Sequence, residues 1–274
     1  MAAQPGATLS PDSQPAPTAN TTSAASKSGH LSTDDTMRTL LDHPAFAGFA
    51  RLLLPWDDRP YDPRMCLADL GTLLPYHSQI RPDVMVGAMN HLIDDAAAGT
   101  TIFHDIYTPA QKQQSPSKQH TGLFFFRGKP GAPFAIICAG GGFSYVGSIH
   151  EGFPYATDIV QQGHNVFVLK YRVGVGGEVA TEDLAAAISY VFANAATLGV
   201  GIHDYSLWGS SAGARMVAAI GTRGVAGFGG DKRPLPAAIV MAYTGHTEHA
   251  TSGDPPTFVV VGENDGMRLG PHPG

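Results

Sequence analysis

Two glycine-bracketed stretches hold the residues that could do chemistry. In Gly209-Ser210-Ser211-Ala212-Gly213 a serine stands between two glycines with the spacing G-x-S-x-G. A serine hydroxyl becomes a nucleophile when a neighbouring base takes its proton, and this spacing suits a sharp strand-to-helix turn that exposes Oγ. The spacing selects Ser211 over its neighbour Ser210. Glycines flank such a turn because a side chain at either position would strike backbone. The competing reading is a glycine-rich turn whose serine only caps a helix.

The second stretch is Gly140, Gly141 and Gly142, directly after the apolar run 133–138. A tetrahedral acyl-transfer intermediate carries a negative oxygen that fixed N–H groups must meet, and one such donor is worth about 3–4 kcal/mol. The N–H groups of Gly141 and Gly142 are candidates from this loop. That of Ala212, at the positive end of the helix after the nucleophile, is the third. A phosphate-binding loop is disfavoured, because the spacing is neither G-x-x-x-x-G-K-[ST] nor G-x-G-x-x-G.

Elements that could position these groups are legible in the hydrophobic pattern. "TTIFHDIYTP" and "HTGLFFFRGK" predict two strands of an edge hairpin, separated by a polar loop "AQKQQSPSKQ". Apolar strands then alternate with helical segments: "GAPFAIICAGGGF", a helix near "EGFPYATDIVQQG", the strand "HNVFVLKYR", the helix "TEDLAAAISYVFANAATLG", the strand "YSLWG", the helix "SAGARMVAAIGTRG", and the strands "AAIVMAYTG" and "PTFVVVGEND". Strands apolar on both faces and alternating with helices predict a mostly parallel sheet covered on both sides. Ligands in such sheets bind at the carboxyl ends of the strands, where both glycine stretches fall. Ahead of the sheet, residues 34–98 read as a helical segment. Pro44 breaks its first part, and "RPDVMVGAMNHLIDDAAAG" forms a helix with Pro82 in its first turn and Gly99 past its end. Residues 1–33 are low in large apolar residues and predict a disordered leader to a single domain over 34–274.

The bulk numbers narrow the function classes. The chain has 274 residues, 43% of them hydrophobic, with a net charge of −6. That charge argues against nucleic acid as a partner, since phosphate binding needs a basic face. The sequence contains no apolar run long enough to span a bilayer, and no signal peptide is recognisable, which reads as a cytoplasmic protein with export by other routes left open. Cys66 and Cys138 match neither a metal-ligand spacing nor a disulfide framework, and Cys138 reads as a packed small residue.

With "AGGGF" and "GSSAG" in place, the chain from about Gly99 to Asp265 resembles the α/β-hydrolase family, within it the carboxylesterase and acetyl-esterase/lipase group. "VFVLKYR" between the motifs and "PPTFVVVGEND" after them belong to the same resemblance. "AGGGF" is similar to the family's H-G-G-G loop with Ala139 in place of the histidine, which weakens a loop-fixing hydrogen bond but leaves the donors. The resemblance implies ester hydrolysis by a Ser–His–Asp triad with no metal and no organic cofactor. It implies Asp265 as the acid, after the strand "TFVVVG", where it would accept the imidazole N–H and fix the tautomer; Glu263 is the alternative, and a simple turn role in "NDG" is a third reading.

The family's histidine follows one more strand. Here His272, in "LGPHPG", is the one histidine beyond Asp265, and His246 and His249 in "YTGHTEHATSG" end the preceding strand. His272 and His246 are the base candidates. The expectation is an esterase fold whose last strand, last helix and catalytic histidine are missing, so that turnover is impaired and the strand 257–261 becomes an edge prone to self-association. The expected substrate is a small carboxylic ester, with sugar acetates and short-chain acyl esters first. A peptidase of the same fold, or a non-catalytic binding module, is the alternative.

Overall fold

The computed structural model describes residues 1–2, 29–74, 79–244, 252–263 and 265. Most of the expected 1–33 leader, His246, His249 and His272 lie outside the described residues. A seven-stranded sheet runs through the described chain: β1 (Phe103–His104), β2 (Gly122–Phe126), β3 (Pro133–Cys138), β4 (Asn165–Lys170), β5 (Gly201–Ser210), β6 (Ala238–Ala242) and β7 (Thr257–Val260). The spatial order is β1-β2-β4-β3-β5-β6-β7. β1 and β2 pair antiparallel with each other, as the hairpin pattern predicts, and β2 pairs antiparallel with β4. Every other pairing is parallel. The sheet therefore presents the carboxyl ends of β3, β4, β5, β6 and β7 along one side.

The helices are α1 (Met37–Leu41), α2 (Pro82–Ala97), α3 (Pro109–Gln114), α4 (Phe153–Gln161), α5 (Gly177–Leu198) and α6 (Ala212–Arg223). Alternation along the inner strands explains how they cover both faces. On one face Phe125, Ile136, Phe167 and Leu169 pack with Ala187, Ile188 and Val191 of α5 and Met216 and Val217 of α6. On the other, Phe124, Phe126, Ile137, Val166 and Val168 pack with Met85, Met89 and Leu92 of α2, with Phe153 and Ala156 of α4, and with Phe46 and Leu53 of the N-terminal segment. A strand sends successive side chains to opposite faces, so a run such as "GLFFF" is apolar throughout only when both faces are covered.

Several expectations need correcting at their edges. The polar stretch 109–120 is no plain loop: Thr108 and Gln111 form a reciprocal capping box, and Pro109 opens the α-helix α3. The local capping chemistry outweighs the polar composition. β5 begins at Gly201 rather than near Tyr205, and α5 begins at Gly177 rather than Thr181. Packing also starts before residue 34. Leu31 is buried, and its N–H donates to Asn90 Oδ1 of α2 at 2.8 Å.

Candidate active site

Ser211 sits at the junction of β5 and α6, as the G-x-S-x-G spacing predicts. Its backbone has φ 50° and ψ −114°, a region that residues with a side chain rarely occupy. Holding a non-glycine residue there costs about 1–3 kcal/mol, and such outliers persist where the surroundings fix them. The surroundings here are the flanking glycines. A Cβ on Gly209 would lie 2.4 Å from the Gly213 carbonyl oxygen, and one on Gly213 would lie 1.9 Å from the Cys138 carbonyl oxygen. Both distances are impossible for real atoms, so the turn can close only with glycine at these positions. The Ser211 N–H donates to the Ala242 carbonyl at 2.9 Å, tying the bend to the end of β6. Ser211 is partly exposed, whereas Ser210 is 1% exposed and faces inward.

The glycine loop reaches the same place. A Cβ on Gly140 would meet Ser211 Cβ at 3.1 Å, so the loop backbone passes directly beside the nucleophile. Gly141 has φ 150°, and a Cβ there would strike the Tyr145 carbonyl at 1.9 Å. Among the described residues, the N–H groups of Gly141, Gly142 and Ala212 are paired with no backbone acceptor outside regular elements. Gly140 differs from the other two. Its N–H donates to Glu151 Oε2 at 2.9 Å and to Ser210 Oγ at 3.1 Å, and so is committed within the protein.

Glu151 is the residue that reading along the chain overlooked. It lies in a π-helical turn, Ser148–Gly152, that leads into α4, and it is 7% exposed. Turns of this kind occur often at functional sites. Besides the Gly140 N–H, its carboxylate accepts the Ser210 hydroxyl on Oε2 and the Tyr243 hydroxyl on Oε1. Burial, and then the Glu151 carboxylate, hold the Tyr243 phenol well above its ordinary pKa, so it donates. The loop is fixed from a second side, where the buried Tyr171 hydroxyl donates to the Ala139 carbonyl at 2.7 Å. No spacing along the chain marks Glu151, because its partners Gly140, Ser210 and Tyr243 come from three separate strand ends.

Asp265 follows β7 on the carboxyl side of the sheet, two strands from β5, and its N–H donates to the Gly262 carbonyl at 3.0 Å. Asp265 therefore lies at the end of the sheet that also carries Ser211. Among the described residues no histidine hydrogen-bonds Ser211 Oγ. His150, buried next to Glu151, donates from Nε2 to the Leu70 carbonyl at 2.9 Å. Cys138 is fully buried and its thiol is pushed up in pKa by that burial, consistent with a packing role.

A cavity of about 450 Å³ opens beside Glu151, lined by Ile80, Arg81, Met85, Tyr155 and Tyr243 among others. Its walls come from the start of α2 and from the segment after the glycine loop, with Tyr243 beyond β6. A larger cavity of about 600 Å³ lies along α5 near Tyr190 and Asp231 and includes no residue of the elbow or the glycine loop. The smaller one is likewise lined by no residue of the elbow or the glycine loop, but Glu151 and Tyr243 line it, and Glu151 accepts from the Gly140 N–H and the Ser210 hydroxyl, so it is the nearer of the two to Ser211. Among the described residues no helix is long and apolar enough to cross a membrane.

Residues 127–235 match the BD-FAE family. No curated protein matches the sequence. Among solved structures, the chain is similar to an α/β-hydrolase enzyme from a Medee basin deep-sea metagenome library, at 23% identity over 51% of this chain and 62% of that one, with a TM-score of 0.44. It is also similar to a lipase/esterase from Lactobacillus plantarum, at 22% identity over 54% and 75% of the two chains, TM-score 0.47. A carboxylesterase from Lactobacillus plantarum WCFS1 aligns at 21% identity over 52% and 66%, TM-score 0.43. The chain therefore spans 62% of the length of the first of these structures. The described chain thus has a mostly parallel sheet led by two antiparallel strands, with a strained serine between β5 and α6, a fold similar to that of the α/β-hydrolases, and its residues 127–235 match the BD-FAE family.

Proposed function

We propose that the chain is a serine hydrolase of small carboxylic esters. The observation that carries this reading is the strained Ser211, set on its bend with the glycine-loop backbone against it. Ser211 Oγ attacks the acyl carbon as its proton passes to a histidine. The carbonyl oxygen becomes an oxyanion and is met by the N–H of Ala212 and those of Gly141 and Gly142. Collapse expels the alcohol, which takes the proton back from the imidazolium, and water then releases the acyl group by the same steps. Asp265 orients the imidazole and stabilises its charged form. No metal or organic cofactor enters this sequence of steps.

His246 and His272 are the base candidates, and single alanine substitutions test them. The true base should cost on the order of 10⁴-fold or more in turnover, and the other histidine little. If neither serves, the chain retains only the impaired turnover that oxyanion donors and binding supply. The cavity of about 450 Å³ suits a small molecule. We therefore expect p-nitrophenyl acetate to be preferred over long-chain esters and over peptide anilides. Steady-state hydrolysis of p-nitrophenyl acetate tests the reading. The wild type should exceed Ser211→Ala clearly, and equal rates would contradict it. A second reading, a binding module on the hydrolase scaffold, draws on one observation: no described histidine meets the Ser211 hydroxyl. Equal rates would favour it.

A further inference from the structure

Three backbone corners surround Ser211, and one carboxylate touches all three. The first is the glycine loop: Glu151 Oε2 accepts the Gly140 N–H, while the Gly140 carbonyl accepts the Gly147 N–H at 3.0 Å. The peptide just before the Gly141 and Gly142 donors is thereby held at both ends of the turn 140–147. The second corner is the elbow, where the same Oε2 accepts the hydroxyl of Ser210, the residue before the nucleophile. The third is the end of β6. Glu151 Oε1 accepts the Tyr243 hydroxyl, Tyr243 follows Ala242, and the Ala242 carbonyl accepts the Ser211 N–H. Tyr243 itself has φ 36°, a strained backbone that this hydroxyl contact helps hold, and its N–H donates to the Val260 carbonyl at 2.8 Å.

A buried carboxylate is costly unless its oxygens are hydrogen-bonded, so a chain that keeps one here gains geometry in return. We infer that Glu151 is a positioning residue for the oxyanion hole, locking the glycine loop and the serine elbow in the relative placement that the transition state requires. This rests on the esterase reading for its effect on rate, but its structural content stands apart from that reading. Glu151 touches no reacting atom in this account; it acts through Gly140, Ser210 and Tyr243.

The test compares Glu151→Ala, Glu151→Gln and Tyr243→Phe. Glutamine keeps the shape, with its carbonyl toward Gly140 and Ser210 and its amide toward the Tyr243 oxygen, which can accept. Alanine keeps nothing. With p-nitrophenyl acetate, Glu151→Ala should lower kcat by about 10²-fold with KM within a few-fold, the scale of a 1 Å misplacement. Glu151→Gln should recover kcat to within tenfold of wild type, and Tyr243→Phe, which cuts one tie, should fall between them. A residue that only stabilised the fold would lower the melting temperature and leave kcat of the folded fraction alone.

Amide hydrogen exchange supplies a readout that needs no turnover. A peptide spanning residues 139–147 should exchange roughly tenfold faster in Glu151→Ala, and near the wild-type rate in Glu151→Gln, if local opening is what the carboxylate suppresses. Should Glu151→Ala fail to fold, Tyr243→Phe decides, with faster exchange in 139–147 or 209–214 supporting the inference. Wild-type exchange in both peptides overturns it, as does a folded Glu151→Ala with unaltered kcat. If wild type and Ser211→Ala hydrolyse ester equally, the esterase reading fails while the exchange arm still judges the positioning role.

Discussion

β4 and β7 lie in the same sheet and are both runs of apolar residues, yet they are held in opposite ways. Every residue of β4 is buried, and Phe167 stacks on Phe125 with ring centroids 4.6 Å apart. Every residue of β7 is exposed: Phe258 at 64% and Val260 at 50%. Among the described residues β7 pairs only with β6, from Ile239↔Thr257 to Ala242↔Val260. The nucleophile and the glycine loop hang from the covered interior strands β5 and β3. The proposed acid hangs from the strand whose faces are open. The two halves of the proposed machinery therefore differ in how firmly the sheet holds them.

Substitutions at the two halves sharpen that contrast. With His246 or His272 serving as the base, Ser211→Ala should have the largest effect, a loss of between about 10⁴- and 10⁶-fold in ester turnover, since removing the nucleophile of a triad leaves only the oxyanion donors; with no base serving, the loss shrinks, because triad members act as a unit. Asp265→Asn should cost less, at most about 10⁴-fold, by favouring the wrong imidazole tautomer. A rate for Asp265→Asn equal to wild type would detach the acid role from this residue and pass it to Glu263. Phe167→Ala should destabilise by about 3–5 kcal/mol in denaturant titration, as for a fully enclosed aromatic. Phe258→Ala should cost under about 1 kcal/mol, because the ring is already mostly in water. If the two phenylalanines proved equally costly, the contrast between covered and open strands would break.

The open strand carries a further proposal. An apolar edge with unpaired backbone groups is a template for pairing with another chain. We expect concentration-dependent self-association in light scattering, relieved by Phe258→Lys with a stability change within about 0.5 kcal/mol. A monodisperse wild type at all concentrations would set this aside.

How much of this was legible in the sequence depended on distance along the chain. The serine elbow, the glycine loop, the parallel strands and α2 follow from spacings of a few residues, where steric rules and periodicity act directly. α3 was also readable in principle, since Thr108, Pro109 and Gln111 form a local cap, but its polar composition masked the signal. Glu151 was not readable. Its partners Gly140, Ser210 and Tyr243 lie 11, 59 and 92 positions away, and only the crossing of three strand ends brings them together. Asp265 is intermediate: its place at the carboxyl end of β7 is structural, whereas its role rests on the resemblance and on the proposed mechanism.

The central claim is that Ser211, and not its neighbour Ser210, is an activated nucleophile. The direct measurement is incubation with a fluorophosphonate followed by peptide mass mapping. The account predicts a phosphonyl adduct on Ser211 that disappears in Ser211→Ala and persists in Ser210→Ala. An adduct on Ser210, or no adduct in the folded wild type, would contradict it.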